Sequence, residues 1–138
     1  STAEINIAGN SYSSSLLGML PSHLSSAPES AYTGKEVVVI KTLDEIFDGL
    51  NIHGKNIYMK IDTQGFESKV LNGAVKSLAK IDTIQMEMSL VPLYEGELLF
   101  VDMCKLMSEK GYTLVSIAGG FTDPKSGQLL QADGIFRR

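Results

Sequence analysis

Residues 56–74, Asn-Ile-Tyr-Met-Lys-Ile-Asp-Thr-Gln-Gly-Phe-Glu-Ser-Lys-Val-Leu-Asn-Gly-Ala, constrain the fold more than any other stretch of this chain. An apolar run ends on the carboxylate of Asp62 and passes through a turn containing Gly65. It then continues with Phe66, Val70, Leu71, Ala74, Val75 and Leu78 at helical spacing. Such a strand-turn-helix joint is where open α/β sheets place their ligand sites, just outside the carboxyl end of a strand. Asp62 stands where the strand would emerge, so its charge is expected to point into a crevice.

The rest of the chain extends this pattern. After strand 57–61 and a helix of about residues 66–79 comes a strand over Thr83–Met88. A second helix is expected from about Leu98 to Lys110, with Leu99, Met103, Leu106 and Met107 on one face and Gly111 at its stop. A strand over Tyr112–Ala118, turn residues 121–127 and a last strand over Gln128–Phe136 follow. This order predicts a parallel sheet finished by an antiparallel hairpin. Upstream, residues 4–7 alternate as a short strand, and Glu36–Lys41 is β-branched and strand-like. Thr42 with Glu45 reads as a capping box opening a short helix Leu43–Leu50. Residues 8–34, dense in Ser, Gly, Pro, Asn and Ala, read as a long loop in which Ser15–Leu20 forms a helical turn or an apolar latch. The expected organisation is one α/β domain over 1–138, with a loop-rich leading segment 1–55 and a βαβαββ unit 56–138.

Composition narrows the function. A net charge of −4 with scattered basic residues argues against nucleic acid. No apolar run approaches the roughly 20 residues that span a bilayer, so neither partner is expected and the chain reads as cytoplasmic. Cys104 is the single cysteine, which excludes an internal disulfide and a Cys-based metal site. His23 and His53 lie in polar contexts without metal-ligand spacing, so both are expected at the surface and no metal is expected.

Five residues are candidates for chemistry. Asp62 is placed to act as a general base or to orient a ligand, or else it caps the helix that follows, worth about 0.3–1 kcal/mol. Glu67, in the first helical turn, contacts a ligand or complements the helix dipole. Glu87 lies between Met86 and Met88 on a strand expected to be covered on both faces. A buried carboxylate there must be paired or protonated, which makes it a second site carboxylate or the partner of a buried base. Asp133 is a site residue or a solvated turn residue, and Tyr94 floors an acceptor pocket or packs in the core. Lys60 alternates with Asp62 and is expected to form a salt bridge with it.

Several ordered blocks resemble the FkbM family of S-adenosylmethionine-dependent methyltransferases. They are Thr42-Leu43-Asp44; Lys60-Ile61-Asp62 with Gly65, Glu67, Val70-Leu71 and Gly73-Ala74; Ile84-Gln85-Met86-Glu87 with Pro92-Leu93-Tyr94; Gly111-Tyr112; and residues 129–136. The resemblance implies the second half of a class I, Rossmann-like methyltransferase sheet. It also implies O-methylation of a sugar or natural-product hydroxyl, with S-adenosylmethionine as methyl donor. On this reading Asp62 and Glu87 are catalytic, and Glu67, Tyr94 and Asp133 line the acceptor side. The glycine-rich cofactor loop is expected upstream of residue 1, because Gly9 is isolated and Gly119-Gly120 leads into Phe-Thr-Asp-Pro rather than a helix. The edge of strand 57–61 would then lack a neighbour. It is expected either to self-associate or to be covered by Glu4–Ile7 or Glu36–Lys41. A non-catalytic interaction or glycan-binding half-domain is the competing reading.

Overall fold

The computed structural model describes residues 1–138, and two sheets organise them. In the first, β1 (Thr2–Ala8) and β2 (Tyr32–Val39) pair antiparallel, in register from Thr2 opposite Val39 to Ile7 opposite Gly34, with a shift before Ala8 opposite Tyr32. The second has four strands in the order β3 (Tyr58–Ile61), β4 (Thr83–Ser89), β6 (Gln131–Arg137), β5 (Thr113–Gly119). The upstream strands therefore do not cover the outer edge of β3. This corrects one of the two expectations for that edge: β1 and β2 pair with each other in a sheet of their own.

β3 and β4 are parallel, joined through α3 (Glu67–Asn72), whereas β6 runs antiparallel to both of its neighbours. The last strand thus inserts between β4 and β5 instead of adding at the edge. The period-2 alternation of strand side chains divides the sheet into two unlike faces. Met59, Ile61, Ile84, Met86, Met88 and Phe136 face α3 and α4 (Phe100–Glu109). There Leu71, Ala74, Leu78, Ile81, Met103, Met107 and Tyr112 complete the core. Each fully buried aliphatic side chain in it contributes about 1.5–3 kcal/mol.

The other face carries Tyr58, Lys60, Gln85, Glu87 and Asp133, none of them fully buried. Glu87 is therefore half-buried rather than covered on both sides, because both crossover helices pack on the apolar face. Tyr58 donates its hydroxyl hydrogen to Gln85 Oε1 at 2.5 Å on this polar side.

The helix expected over residues 66–79 is broken. α3 ends at Asn72, and Ser77–Lys80 form a separate 3-10 turn. Asp44 accounts for the break, because its carboxylate accepts from the Lys76 amide at 3.0 Å and the Ser77 amide at 2.8 Å, competing with helical continuation. Upstream, α2 (Leu43–Ile46) begins with the expected capping box: Thr42 Oγ1 accepts from the Glu45 amide, and Glu45 accepts from the Thr42 amide. The interval 8–34 is more ordered than its composition suggests, with α1 (Pro21–Ser26), a 3-10 turn Pro28–Ser30 and the start of β2. Ser15–Leu20 takes the latch form. Leu20 donates its amide to the Leu93 carbonyl and Gly18 accepts from the Glu95 amide, while Leu17 and Met19 pack on Leu93, Tyr94 and Leu130. No helix is long and apolar enough to cross a membrane.

Candidate functional site

The site forms around the turn between β3 and α3. Gln64 and Gly65 both adopt positive φ, +53° and +93°, which reverses the chain tightly after Asp62 and Thr63. A Cβ on residue 65 would lie 2.9 Å from Tyr94 Cβ and 3.2 Å from Leu17 Cδ1, so the packing and the backbone both demand glycine. The buried Glu67 carboxylate fastens this turn. Its Oε1 accepts from the Thr63 amide at 2.9 Å, the Thr63 hydroxyl at 3.2 Å and the Gly65 amide at 3.3 Å. Burial pushes its pKa up, against the opposing effect of those donors.

Asp62 is partly exposed just beyond β3, with Lys60 Nζ 3.5 Å from its Oδ2, the expected ion pair. On β4, Glu87 stands directly opposite Asp133 of β6. Burial raises the Glu87 pKa from 4.5 to about 7, and the negative charges of Asp62, Asp133 and Glu67 add to the effect. The fold thus gathers four of the candidate residues, all acidic, around the carboxyl ends of β3 and β4. No group of three or more His, Cys, Asp and Glu is arranged to hold a metal ion.

Tyr94, the fifth candidate, is buried against Leu93 and Leu130. Its loop is tied down by Glu97, whose carboxylate accepts from the Leu93 amide at 2.8 Å, the Tyr94 amide at 3.1 Å and the Ser89 hydroxyl at 2.9 Å. The Tyr94 hydroxyl donates to Gln64 Oε1 at 2.9 Å and lies 3.3 Å from His23 Nε2.

Two residues escaped the sequence reading. His23 is 3% exposed, not at the surface, and its ring lies 5.2 Å from that of Tyr94 and 5.3 Å from that of Phe121. Burial lowers its pKa, and Ser30 Oγ sits 2.9 Å from its Nδ1. Gln64 links Tyr94 to Asp62, donating from Nε2 to Asp62 Oδ1 at 2.7 Å. Its place just before the turn glycine was the only local signal. His53 is exposed as expected, near Asp48.

Two cavities flank this turn. The larger, about 420 Å³, is lined by Asp62, Thr63, Lys41 and Lys69 together with apolar side chains that include Leu16, Val39 and Phe66. The smaller, about 230 Å³, is lined by Gln64, Glu87 and Gln131 from the sheet side, facing Asn10, Tyr12, Ser13, His23, Ala27 and Glu29 from the leading segment, with Phe121 beside them. No lysine or arginine lines the smaller one. Ser13 and Ser15 are buried in these walls rather than forming a free loop.

The family model of the methyltransferase FkbM domain matches residues 1–114. No curated protein and no solved structure matches the chain.

Proposed function

The chain belongs to the FkbM methyltransferase family, and from that premise we propose that it forms the acceptor side of an S-adenosylmethionine-dependent O-methyltransferase acting on an uncharged, hydroxyl-rich molecule of the sugar or natural-product alcohol type. The observation that carries this reading is Glu87, a half-buried carboxylate whose pKa is pushed to about 7 where its strand opens on a polar cavity. A base is most effective when its pKa lies near the working pH, and Glu87 meets that condition. The strand order supports reading the sheet as the second half of a Rossmann-like class I methyltransferase fold.

S-adenosylmethionine combines a cationic sulfonium and an ammonium with a flat, largely apolar base. The apolar side chains of the larger cavity, Phe66 and Val39 among them, fit the base, but its one acid, Asp62, is paired with Lys60 and shares the lining with Lys41 and Lys69, so these residues do not fit the cationic part. When bound, the group supplies a methyl carbon activated by positively charged sulfur, which keeps the bonding pair as the methyl leaves. What remains for the chain is to bind the acceptor, align it and remove its proton.

Glu87 takes that proton from the acceptor hydroxyl. Asn10, Glu29 and Gln131 offer donors and acceptors for the other hydroxyls, and Tyr12 and Phe121 add aromatic surface to the lining. An anionic acceptor would meet Glu29 and Glu87 with no cation to pair its charge, and an unpaired charge of that kind is costly to hold.

The test uses the full-length protein with S-adenosylmethionine and matched pairs of neutral glycosides and their uronates, read by mass spectrometry. Transfer of one methyl group to hydroxyls of the neutral member is expected, with a loss of at least about 100-fold in Glu87→Gln. Equal use of the uronates, or transfer to nitrogen only, would refute the proposal.

A further inference from the structure

Asp62 and Glu87 are both acceptor-only when ionised, and the side chain of Gln64 sits between them. Its Nε2 lies 2.7 Å from Asp62 Oδ1 and 3.5 Å from Glu87 Oε2. At the other end, Oε1 accepts the Tyr94 hydroxyl hydrogen at 2.9 Å. The amide has only one sensible orientation here, because two carboxylates require its nitrogen and the tyrosine hydroxyl then requires its oxygen. The backbone is held as firmly: Gln64 keeps a left-handed φ of +53°, and its carbonyl accepts from the Ser15 hydroxyl at 2.6 Å. A non-glycine residue in that conformation, fixed at its carbonyl and at both ends of its amide, is the kind of local strain that functional sites retain.

We propose, building on the reading of acceptor deprotonation above, that Gln64 is a positioning residue of the reaction: its amide, locked by the Tyr94 hydroxyl, orients the two carboxylates and directs the acceptor proton to Glu87. The short bond goes to Asp62, which leaves Glu87 the less satisfied of the pair and the better proton acceptor. Tyr94 acts through Gln64 and does not touch the acceptor, consistent with its absence from the walls of both cavities. The ionisable groups around Glu87 are Asp62 beyond β3, Asp133 on β6, Glu67 on α3 and Tyr94, with Tyr12, Glu29 and His23 across the cavity.

The full-length protein, Gln64→Ala, Tyr94→Phe and the double variant are compared in two ways. The first is the pH profile of kcat/KM with a neutral glycoside. Both single variants are expected to lower kcat more than tenfold with KM nearly constant, and to move the acid limb of the profile to higher pH. The double variant should lose no more than Gln64→Ala alone, because both changes break one chain of contacts. Acid limbs that coincide with the parent, or losses that add in the double variant, would overturn the assignment. The second readout needs no turnover, so it stands even if methyl transfer to hydroxyls is not the reaction. Carbon-13 titration of the Glu87 side chain should give a higher midpoint in Gln64→Ala than in the parent, since an amide donor to its carboxylate is gone. An unchanged midpoint overturns the positioning role whatever the enzyme methylates.

Discussion

Replacing Glu87 with glutamine should stabilise the protein, and only above the acidic range. A carboxyl displaced from 4.5 to about 7 has lost roughly 3 kcal/mol of preference for its charged form. Because Glu87 is only half-buried, solvent screening reduces the realistic figure to about 1–2 kcal/mol. The sign follows from linkage. A group whose folded pKa is raised gives its full stability below its unfolded value, here about 4.5, and loses it as pH rises through the folded value near 7. Glutamine keeps the shape and does not titrate. The melting temperature of Glu87→Gln should equal that of the parent near pH 4.5 and exceed it by about 3–6 °C near pH 8, at roughly 3 °C per kcal/mol for a domain of this size. Glu97, whose pKa burial also raises, adds the same slope to both proteins and drops out of the difference, whereas Glu67 acts on Glu87 through its charge and is part of the difference measured. Thermal melts at intervals from about pH 4.5 to 8.5 decide the matter. A constant gap, or one that narrows as pH rises, would refute the claim that Glu87 is held against its preference. Lost turnover alongside gained stability is the usual pairing when a strained functional group is removed.

Two further outcomes follow from the turn. Asp62→Asn, at a partly exposed position, should lower turnover of the full-length protein by at least about 100-fold while leaving the melting temperature almost unchanged; a large melting loss with activity retained would make Asp62 a structural cap. Gly65→Ala should cost about 2–4 kcal/mol in chemical denaturation, since the new Cβ meets Tyr94 at 2.9 Å with φ at +93°, and a loss within about 0.5 kcal/mol would show that the turn relaxes freely.

What could be read from the residues alone was whatever depends on short-range periodicity. The β3–α3 joint, the capping box at Thr42 and the placement of Asp62 at a strand end are local patterns, and the structure has them. The pairing of Glu87 with Asp133 was not legible, because it depends on β6 inserting between β4 and β5, a choice that no local pattern encodes. The break after Asn72 had a similar origin: helical spacing continues through Leu78, but Asp44, from a distant segment, takes the amides. His23 misled for the same reason. Its neighbours in sequence are polar, whereas its cover comes from Tyr94, 71 residues away, and from Phe121. Gln64 was overlooked because an uncharged amide gains importance only from what stands on either side of it.

The smaller cavity divides its walls unevenly. Glu87 and Gln131 come from strands and Gln64 from the turn after β3, while Asn10, Tyr12, Ser13, His23, Ala27 and Glu29 come from one segment strung between two strands that belong to a different sheet. Within it Tyr12 and Glu29 touch neither the β4–β6 ladder nor the turn, whereas Ser15, Leu17 and His23 hold Gln64 and Tyr94 in place. In lineages sharing this architecture, acceptor preference and proton chemistry would therefore be inherited at separate positions of the gene. Exchanging Tyr12 and Glu29, and not the whole of residues 9–31, is the natural route by which an engineer would change what is recognised while leaving the turn and its contacts in place.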